Sequence, residues 1–264
     1  MSATFGQIMM KLDLQKELTE QLEIEEVFSF NIGNVKIGFD EATVVSWIII
    51  GVLTVLAIIL TRNLKVTGEI SKRQAILEMI YEKAMDFFKG IMGEKVEKFI
   101  PWLMSMALFI GVSNIIGLFG LKPPTKSIQV TAVMAVISIV LVEYCAFKEK
   151  GVLGRLKAFT KPIALITPIN IMEVFTKPLS LCMRLFGNVI GAFTIMELIK
   201  AIIPVGVPVI FSLYFDIFDG LLQAYIFVFL TALYFQEAVE EEEETPKKKK
   251  RKKLRKAKSK KLNA

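Results

Sequence analysis

Long hydrophobic blocks alternate with charged segments along this chain. Residues 42–61 form a block of twenty residues without a charged side chain, and residues 99–120 and 128–147 form two blocks of similar length. A helix needs about 20 apolar residues to cross the hydrocarbon core of a bilayer, which is about 30 Å thick. The three blocks therefore predict three membrane-spanning helices.

The segment between the first two blocks, about residues 74–92, is amphipathic. Its apolar side chains recur every three or four residues among charged ones; they are Ile76, Leu77, Ile80, Ala84, Phe87, Phe88 and Ile91. Such a stripe is typical of a helix that lies in the plane of the membrane interface. We predict one amphipathic helix on the inner surface of the membrane.

Two further blocks, residues 163–203 and 209–239, are longer than a perpendicular crossing requires. The first has 41 residues, which as a helix would be about 60 Å long, twice the thickness of the hydrocarbon core. Both must tilt or bend, and the chain turns back between them near Pro204 and Pro208. The predicted fold class is an all-α integral membrane protein with about five membrane helices, the last two forming a long, steeply tilted hairpin over residues 163–239.

Basic residues mark one side of the membrane. They follow the first block at Arg62, Lys65, Lys72 and Arg73 and the third at Lys148, Lys150, Arg155 and Lys157. The positive-inside rule makes these loops cytoplasmic, which places the polar segment 1–41 outside and residues 240–264 inside a bacterial-type plasma membrane. Because segment 1–41 is acidic and lacks an apolar core near its start, we expect no cleavable signal peptide.

Composition agrees with a membrane protein, since 53% of the 264 residues are hydrophobic and the mean hydropathy is +0.53. The net charge of +7 is concentrated at the end, where an acidic run, 240–244, precedes a basic run, 247–261. We predict a disordered tail attracted to anionic lipid; a nucleic-acid-binding arm is the less economical interpretation. The chain has no histidine, and Cys145 and Cys182 lie in apolar segments. We therefore predict no histidine-based metal site or relay, no disulfide and no cofactor.

Arg184 is a permanent charge in the middle of a hydrophobic block. A guanidinium does not give up its proton in a low-dielectric site, so a charge at this depth costs several kcal/mol unless an anion or water meets it. An arginine that reaches the headgroups or pairs with a neighbouring carboxylate is the structural alternative. The central position of Arg184 favours a functional role.

Other ionisable and polar residues accompany Arg184 in the last two blocks. Asp216, Asp219 and Gln223 are spaced i, i+3 and i+7, which places them on one face of a helix. Aligned ionisable groups in a membrane helix indicate an ion or proton path, because each must be hydrated or paired. Glu197 follows Arg184 toward the outer side and Glu173 precedes it on the inner side.

The run SLCMRLFGN at residues 180–188 resembles the signature of subunit a of the F-type ATP synthase membrane sector. Residues 222–234, LQAYIFVFLTALY, resemble the last helix of that family, and residues 99–101 through 113–118 resemble its second span. The approach to the signature, TPIN at residues 167–170 with Glu173, is similar as well. The resemblance extends over about residues 40–239.

This resemblance implies a non-catalytic stator subunit of a rotary motor that moves protons or sodium ions. The last two helices would pack against a ring of c subunits, with Arg184 facing the ring carboxylates between two half-channels. Asn188 and Gln223 match polar positions of the family. The other implied partners are the peripheral-stalk b subunits and the remaining ATP synthase subunits, with membrane lipid around them and no nucleic acid.

The chain departs from the family pattern at three places. Phe193 stands where many members have a glutamate, and Asp216 stands where many have a histidine. The turn at residues 124–129, PTKSIQ, lacks an aspartate that is common there. The resemblance thus implies that a carboxylate has moved to the neighbouring helix, and the changed turn leaves the lining of the outer vestibule open.

We predict that Asp216, Asp219 and, with a different helical phase, Glu197 line the outer half-channel, and that Glu173 belongs to the exit path. The simple alternative is that one of these carboxylates only pairs with a lysine such as Lys200. A secondary ion transporter is the alternative function, although no internal repeat is visible, and a membrane scaffold would need no aligned polar face. The sequence leaves open whether the ion is a proton or sodium.

Overall fold

The computed structural model of the chain describes residues 26–32, 35–65, 70–119, 121–159, 167–203 and 206–239. Two strands come first, β1 (Glu26–Ile32) and β2 (Val35–Asp40). The helices are α1 (Glu41–Thr61), α2 (Lys72–Met92), α3 (Ile100–Ile115), α4 (Ile128–Phe159), α5 (Thr167–Ile202), α6 (Val207–Ser212), a π-helix (Leu213–Asp219) and α7 (Gly220–Val239). The predicted tail, residues 240–264, lies outside the described residues.

Five helical segments of the described chain are long and apolar enough to cross a membrane. They are Glu41–Thr61, Glu94–Phe119, Ile128–Arg155, Thr167–Lys200 and Val207–Val239. The predicted helical membrane fold with five spans is therefore confirmed. α5 alone has 36 residues, which is about 54 Å of helix, so the fourth span is longer than a perpendicular crossing needs.

Local signals explain where the helices begin and end. Ser71 caps α2 by accepting a hydrogen bond from the backbone N–H of Gln74 at 3.3 Å. Gly93 ends α2 with a φ of 80°, a conformation that residues with a Cβ rarely adopt. Gly206, with a φ of 84°, precedes α6. Pro208 lies in the first turn of α6, where a backbone N–H would have no intrahelical acceptor, so the N–H that proline lacks is not missed there.

The core lies between α3, α4 and α7, and α5 packs against α4. The largest fully buried side chains of this core include Ile100, Leu103, Phe227 and Phe235. The ring of Phe235 stacks on Phe99 with 5.1 Å between the centroids. This core fixes α7 against α3, and α7 continues the helix that carries Asp216 and Asp219.

The two strands pair in an antiparallel hairpin immediately before α1, which the sequence analysis did not predict. The base of this hairpin is joined to the connection between the second and third spans. Ser127 donates to Asp40 Oδ2 at 3.5 Å, and Lys122 forms an ion pair of 3.0 Å with Glu41. The base of the hairpin and this connection therefore lie on the same side of the membrane domain.

The third span bends at its end. Gly151 interrupts α4 with a φ of 69°, and the chain beyond it turns back far enough for Arg155 to reach Glu143. The guanidinium donates from Nε at 3.0 Å and from Nη2 at 2.6 Å to the two carboxylate oxygens. The ion pair between Arg155 and Glu143 thus stabilises a bend at the basic end of the third span.

Candidate ion-path site

A hydrogen-bonded cluster joins the fourth and fifth spans. Asn188 on α5 donates from Nδ2 to both carboxylate oxygens of Asp219, at 3.2 and 3.0 Å, and to Gln223 Oε1 at 3.2 Å. Asn188 and Asp219 are half-buried, and Gln223 is only 3% exposed. Three of the predicted site residues therefore meet in one contact, across two helices.

Gln223 retains a buried donor. Its Nε2 atom is inaccessible and has no hydrogen-bond partner in the part of the chain that the structure describes. A buried amide N–H without an acceptor costs about 1–3 kcal/mol, so such a group marks a place where water or another acceptor is expected.

The cluster lies at one end of a cavity of about 960 Å³. The cavity extends along α5 and the start of the fifth span to the connection between the second and third spans. Five of the seven predicted site residues line it: Asn188, Glu197, Asp216, Asp219 and Gln223. Residues of the second, fourth and fifth spans and of the connection thus surround one space, and polar side chains come from each of them.

The π-helix presents Asp216 to this cavity. Ser212 donates to Asp216 Oδ2 at 2.5 Å. On the opposite side is Gly117, where a Cβ would lie 3.0 Å from Asp216 Oδ1. The second span therefore comes close to the carboxylate at a position without a side chain, and a larger residue there would push Asp216 away.

Asn114, which the sequence analysis quoted only as part of a motif, connects three elements. It donates from Nδ2 to the carbonyl of Gly220 at 2.9 Å and accepts a hydrogen bond from Thr125 Oγ1 at 2.7 Å. Gly220 is the first residue after the π-helix, and a Cβ on it would lie 2.7 Å from Asn114 Cβ. This buried bridge fixes the end of the π-helix, and with it the position of Asp219 relative to Gln223.

Lys126 enters the same cavity from the connection between the second and third spans. Its Nζ atom lies 3.4 Å from the centroid of the Phe193 ring. Burial, together with the nearby charge of Lys122, lowers the pKa of Lys126 to about 8, although Glu197 and Glu41 act in the opposite direction. Sequence reasoning identified Phe193 and the 124–129 turn separately as departures from the family pattern, but not their contact.

Two of the predicted carboxylates have lysine partners. Glu197 pairs with Lys200 at 2.8 Å, which is the alternative that the sequence analysis had kept open. Glu173 lies 3.4 Å from Lys177, and Lys177 also contacts Glu237 at 2.8 Å. Glu197 nevertheless lines the cavity, whereas Glu173 lies near the other ends of α5 and α7, outside it.

Arg184 is exposed and lies one helical turn before Asn188 on α5. It forms no hydrogen bond or ion pair with any residue that the structure describes, and it does not line the cavity. Ser180 and Gly187 are exposed beside it, and an added Cβ at Gly187 or Gly191 would meet nothing within 4 Å. An uncompensated guanidinium therefore stands on an open strip of small residues.

Comparison with known proteins gives a consistent result. A family model described as ATP synthase A chain matches residues 43–236. The chain is 30% identical over 194 residues to ATP synthase subunit a 2 of Acaryochloris marina, covering 73% of this chain and 82% of that protein. It is 31% identical over 217 residues to ATP synthase subunit a 1 of Prosthecochloris aestuarii, covering 82% and 96%. A further relative, 29% identical over 195 residues with 68% and 67% covered, is the subunit a of Propionigenium modestum described as sodium ion specific.

Proposed function

The chain belongs to the ATP synthase A chain family, and from that premise we propose that it forms the stationary half of the ion path, with Arg184 as the barrier between two half-channels. As a member of this family it is a multi-pass, ion-translocating subunit of the membrane sector and works together with other ATP synthase subunits. This membership decides against a secondary transporter or a scaffold.

The proposal rests on the exposure of Arg184 and on its lack of a partner among the residues that the structure describes. An exposed guanidinium without a partner among the residues that the structure describes, beside exposed apolar residues such as Leu179 and Met183, favours an anion supplied by another chain. The small residues beside it, Ser180, Gly187 and Gly191, leave room for a partner helix to come close. A ring of c subunits with carboxylates at this depth meets both requirements.

The cavity serves as the outer half-channel in this proposal. It leads from the connection at residues 121–126, opposite the basic loops, to the Asn188–Asp219–Gln223 cluster. Its carboxylates concentrate cations and pass them toward the ring. The buried Nε2 of Gln223 supplies a donor at the inner limit of this space.

The inner half-channel is assigned to the opposite side of Arg184. There Lys177 forms ion pairs with Glu173 on α5 and with Glu237 on α7. We assign Glu173 to the exit path only because it lies on this side of Arg184. The N-terminus lies outside and the C-terminal tail lies in the cytoplasm against anionic lipid, with peripheral-stalk b subunits beside the membrane helices.

The energies involved are suited to a barrier that releases its partner. Moving one charge through the membrane potential yields about 2.3 kcal/mol per 100 mV. A charge pair 4 Å apart gains about 4 kcal/mol at an effective dielectric constant near 20, before desolvation is subtracted. Arg184 thus keeps a passing carboxylate ionised without holding it permanently. In this proposal the ring carboxylate determines whether protons or sodium ions are transported.

Replacement of Arg184 tests the function. Arg184→Ala in the assembled complex abolishes ion-driven ATP synthesis while the complex still assembles, because an exposed side chain contributes little to packing in its own chain. Arg184→Lys fails or nearly fails, since an ammonium is more strongly hydrated and lacks the planar fork. ATP synthesis in reconstituted vesicles measures both, and normal coupling in either variant rules the proposal out.

A further inference from the structure

Gly220 is the residue at which the fifth span changes from a π-helix to an α-helix. Its backbone N–H is shared between the carbonyls of Ile217 and of Phe215, five residues earlier, whereas an α-helix would use the carbonyl of Asp216. The π-helical residues, LYFDIFD, include neither glycine nor proline, so nothing in the segment itself prevents an ordinary α-helix. The reason for this rare conformation therefore lies in the contacts that the segment makes.

The second span contacts this segment at two points. Asn114, which is only 5% exposed, donates from Nδ2 to the carbonyl of Gly220 at 2.9 Å, and a Cβ on Gly220 would lie 2.7 Å from Asn114 Cβ. One turn later is Gly117, where a Cβ would lie 3.0 Å from Asp216 Oδ1. Gly220 thus makes the π-type hydrogen bond with its N–H and the contact with the second span with its carbonyl.

A third element fixes the direction of the Asn114 amide. Thr125 is fully buried in the connection between the second and third spans, and it donates from Oγ1 to Asn114 Oδ1 at 2.7 Å. Because the oxygen of the amide accepts from this hydroxyl, the nitrogen is the end that faces Gly220. The donor to the fifth span is therefore oriented by a group outside both helices.

The π-helix determines which side chains face the cavity. It takes up one residue more than an α-helix with the same number of turns, so a change to an α-helix would turn the residues before Gly220 by up to about 100° if α7 stayed fixed in the core. Each position would then be occupied by the next residue, that of Asp216 by Ile217 and that of Leu213 by Tyr214. Asp216 and Leu213 line the cavity, whereas Ile217 and Tyr214 lie outside it.

We propose that Asn114 is a positioning residue of the ion path: by binding the carbonyl of Gly220 it holds the π-helix, and the π-helix directs Asp216 into the cavity. The proposal rests on the function proposed above, because it takes this cavity as the entry route for ions. Asn114 itself binds no ion in this scheme. Its loss changes which side chains of the fifth span an entering cation meets.

Thiol labelling reports which face of the fifth span lines the cavity. In the assembled complex with Cys145→Ala and Cys182→Ala, a single thiol is introduced by Leu213→Cys or by Tyr214→Cys, neither of which changes a proposed path residue. A small cationic thiol reagent is added from outside to membrane vesicles of the same orientation as the cell. Because lipid excludes a charged reagent, we expect Leu213→Cys to react about tenfold or more faster than Tyr214→Cys.

Removal of the Asn114 donor is expected to reverse this order. In Asn114→Ala the thiol of Tyr214→Cys becomes the faster of the two by about tenfold, because it enters the cavity as the other leaves. Asn114→Asp gives the same reversal, since an ionised carboxylate still accepts from Thr125 but has no donor for the fifth span. Ser113→Ala is the matched control and leaves the order as it was, because the buried hydroxyl of Ser113 has no hydrogen-bond partner among the described residues.

An exchange of two neighbouring residues tests the same change of register by function. Asn114→Ala lowers ATP-driven ion pumping about tenfold or more, because the carboxylate of Asp216 leaves the cavity. In that background the pair Asp216→Ile and Ile217→Asp returns a carboxylate to the cavity, and we expect most of the pumping to return. With Asn114 present, the same pair lowers pumping instead. A role of Asn114 in stability alone gives no rescue, and a lack of rescue overturns the link to Asp216.

Each outcome of the labelling decides. An unchanged order in Asn114→Ala and Asn114→Asp overturns the positioning role and leaves the proposed half-channel in place. Equal acceleration at both positions, or a reversal in Ser113→Ala, also overturns it, since the helix would then only have loosened. Where Asn114→Ala does not assemble, Asn114→Asp alone decides. Slow reaction of both Leu213→Cys and Tyr214→Cys in every background removes the proposed entry route, and the positioning role with it.

Discussion

Asn188 donates hydrogen bonds to both carboxylate oxygens of Asp219, at 3.2 and 3.0 Å, across the boundary between the fourth and fifth spans. The same amide nitrogen reaches Gln223 Oε1 at 3.2 Å. The neutral side-chain amide of Asn188 thus donates to a carboxylate and to a second amide at this end of the cavity. Asp219 is held in place by this contact without an opposite charge that would bind it permanently.

Replacing Asn188 alters ion transfer more than folding. Asn188→Asp puts a second carboxylate against Asp219, so one of the two retains a proton or cation that should move on; we expect ATP-driven ion pumping to fall about tenfold or more. Asn188→Ala removes the donor only and has a smaller effect. Pumping is followed in vesicles, with ATP hydrolysis by the complex as a check of integrity. Ala192→Ser, one turn further along the same cavity, is the control, and a pumping rate in Asn188→Asp equal to that of this control contradicts the assignment.

A larger side chain beside Arg184 is expected to prevent binding of the c-ring without disturbing the fold of this chain. An added Cβ at Gly187 meets nothing within 4 Å in this chain, so Gly187→Leu leaves the amount of membrane-inserted chain unchanged. We expect the variant to lose the c-ring on purification in mild detergent, because a leucine would fill the strip that we propose as the docking face for the ring helices. Gly90→Leu on α2, which also has open space, retains the ring. Recovery of a full complement of ring with Gly187→Leu argues against this docking face.

A methyl group at Gly220 separates the second and fifth spans. The new Cβ would lie 2.7 Å from Asn114 Cβ, an atom close to the backbone that has little freedom to move. We expect Gly220→Ala to destabilise the subunit by about 1–3 kcal/mol, the usual range for overpacking. Thermal inactivation of ion pumping by the complex measures this. Gly90→Ala leaves stability unchanged or slightly improved, since alanine is the better helix former. Equal inactivation temperatures for the two variants would show that the contact is not close.

The basic tail is expected to be a lipid anchor in the cytoplasm. Protease added to right-side-out vesicles then leaves the run at residues 247–261 uncut, and cleavage there reverses the proposed orientation. Deletion after Glu244 retains coupled ATP synthesis in the assembled complex. A large loss of activity with normal assembly would instead identify the tail as a partner-binding element.

The membrane fold was predictable because the bilayer imposes length and hydropathy on each span. The blocks at 42–61 and 128–147 correspond closely to α1 and to the membrane part of α4. The overlong fourth block is a single helix of 36 residues despite Pro178 in its interior. The strand pair at residues 26–40 was missed although its signal is in the sequence, because the search was for blocks long enough to cross a bilayer. Phe28, Phe30 and Ile32 alternate with other residues before the Gly33-Asn34 pair, and the same period of two continues after it, which is typical of a hairpin.

The site was predictable to the extent that charge in a membrane segment is rare. Asp216, Asp219 and Gln223 were found from their spacing, and they do line one cavity. The π-helix that carries the two aspartates was not foreseen, because an extra residue in a helical turn has no compositional signature. The contact of Lys126 with Phe193 depends on how a connecting turn folds over a distant helix, which helical periodicity does not describe. The pairing of Glu173 with Lys177, by contrast, follows from their i, i+4 spacing.

Arg184 lies outside the cavity, although Asn188 one turn further along the same helix lines it, and this has a consequence for biogenesis. The second, fourth and fifth spans build the walls of the cavity within one polypeptide, so the recess exists as soon as the subunit has folded. Arg184 is exposed, and in the proposed function it becomes part of the path only when the ring covers it. We therefore expect a subunit that waits in the membrane for its ring to contain a closed-ended recess, and an unassembled copy not to discharge the membrane.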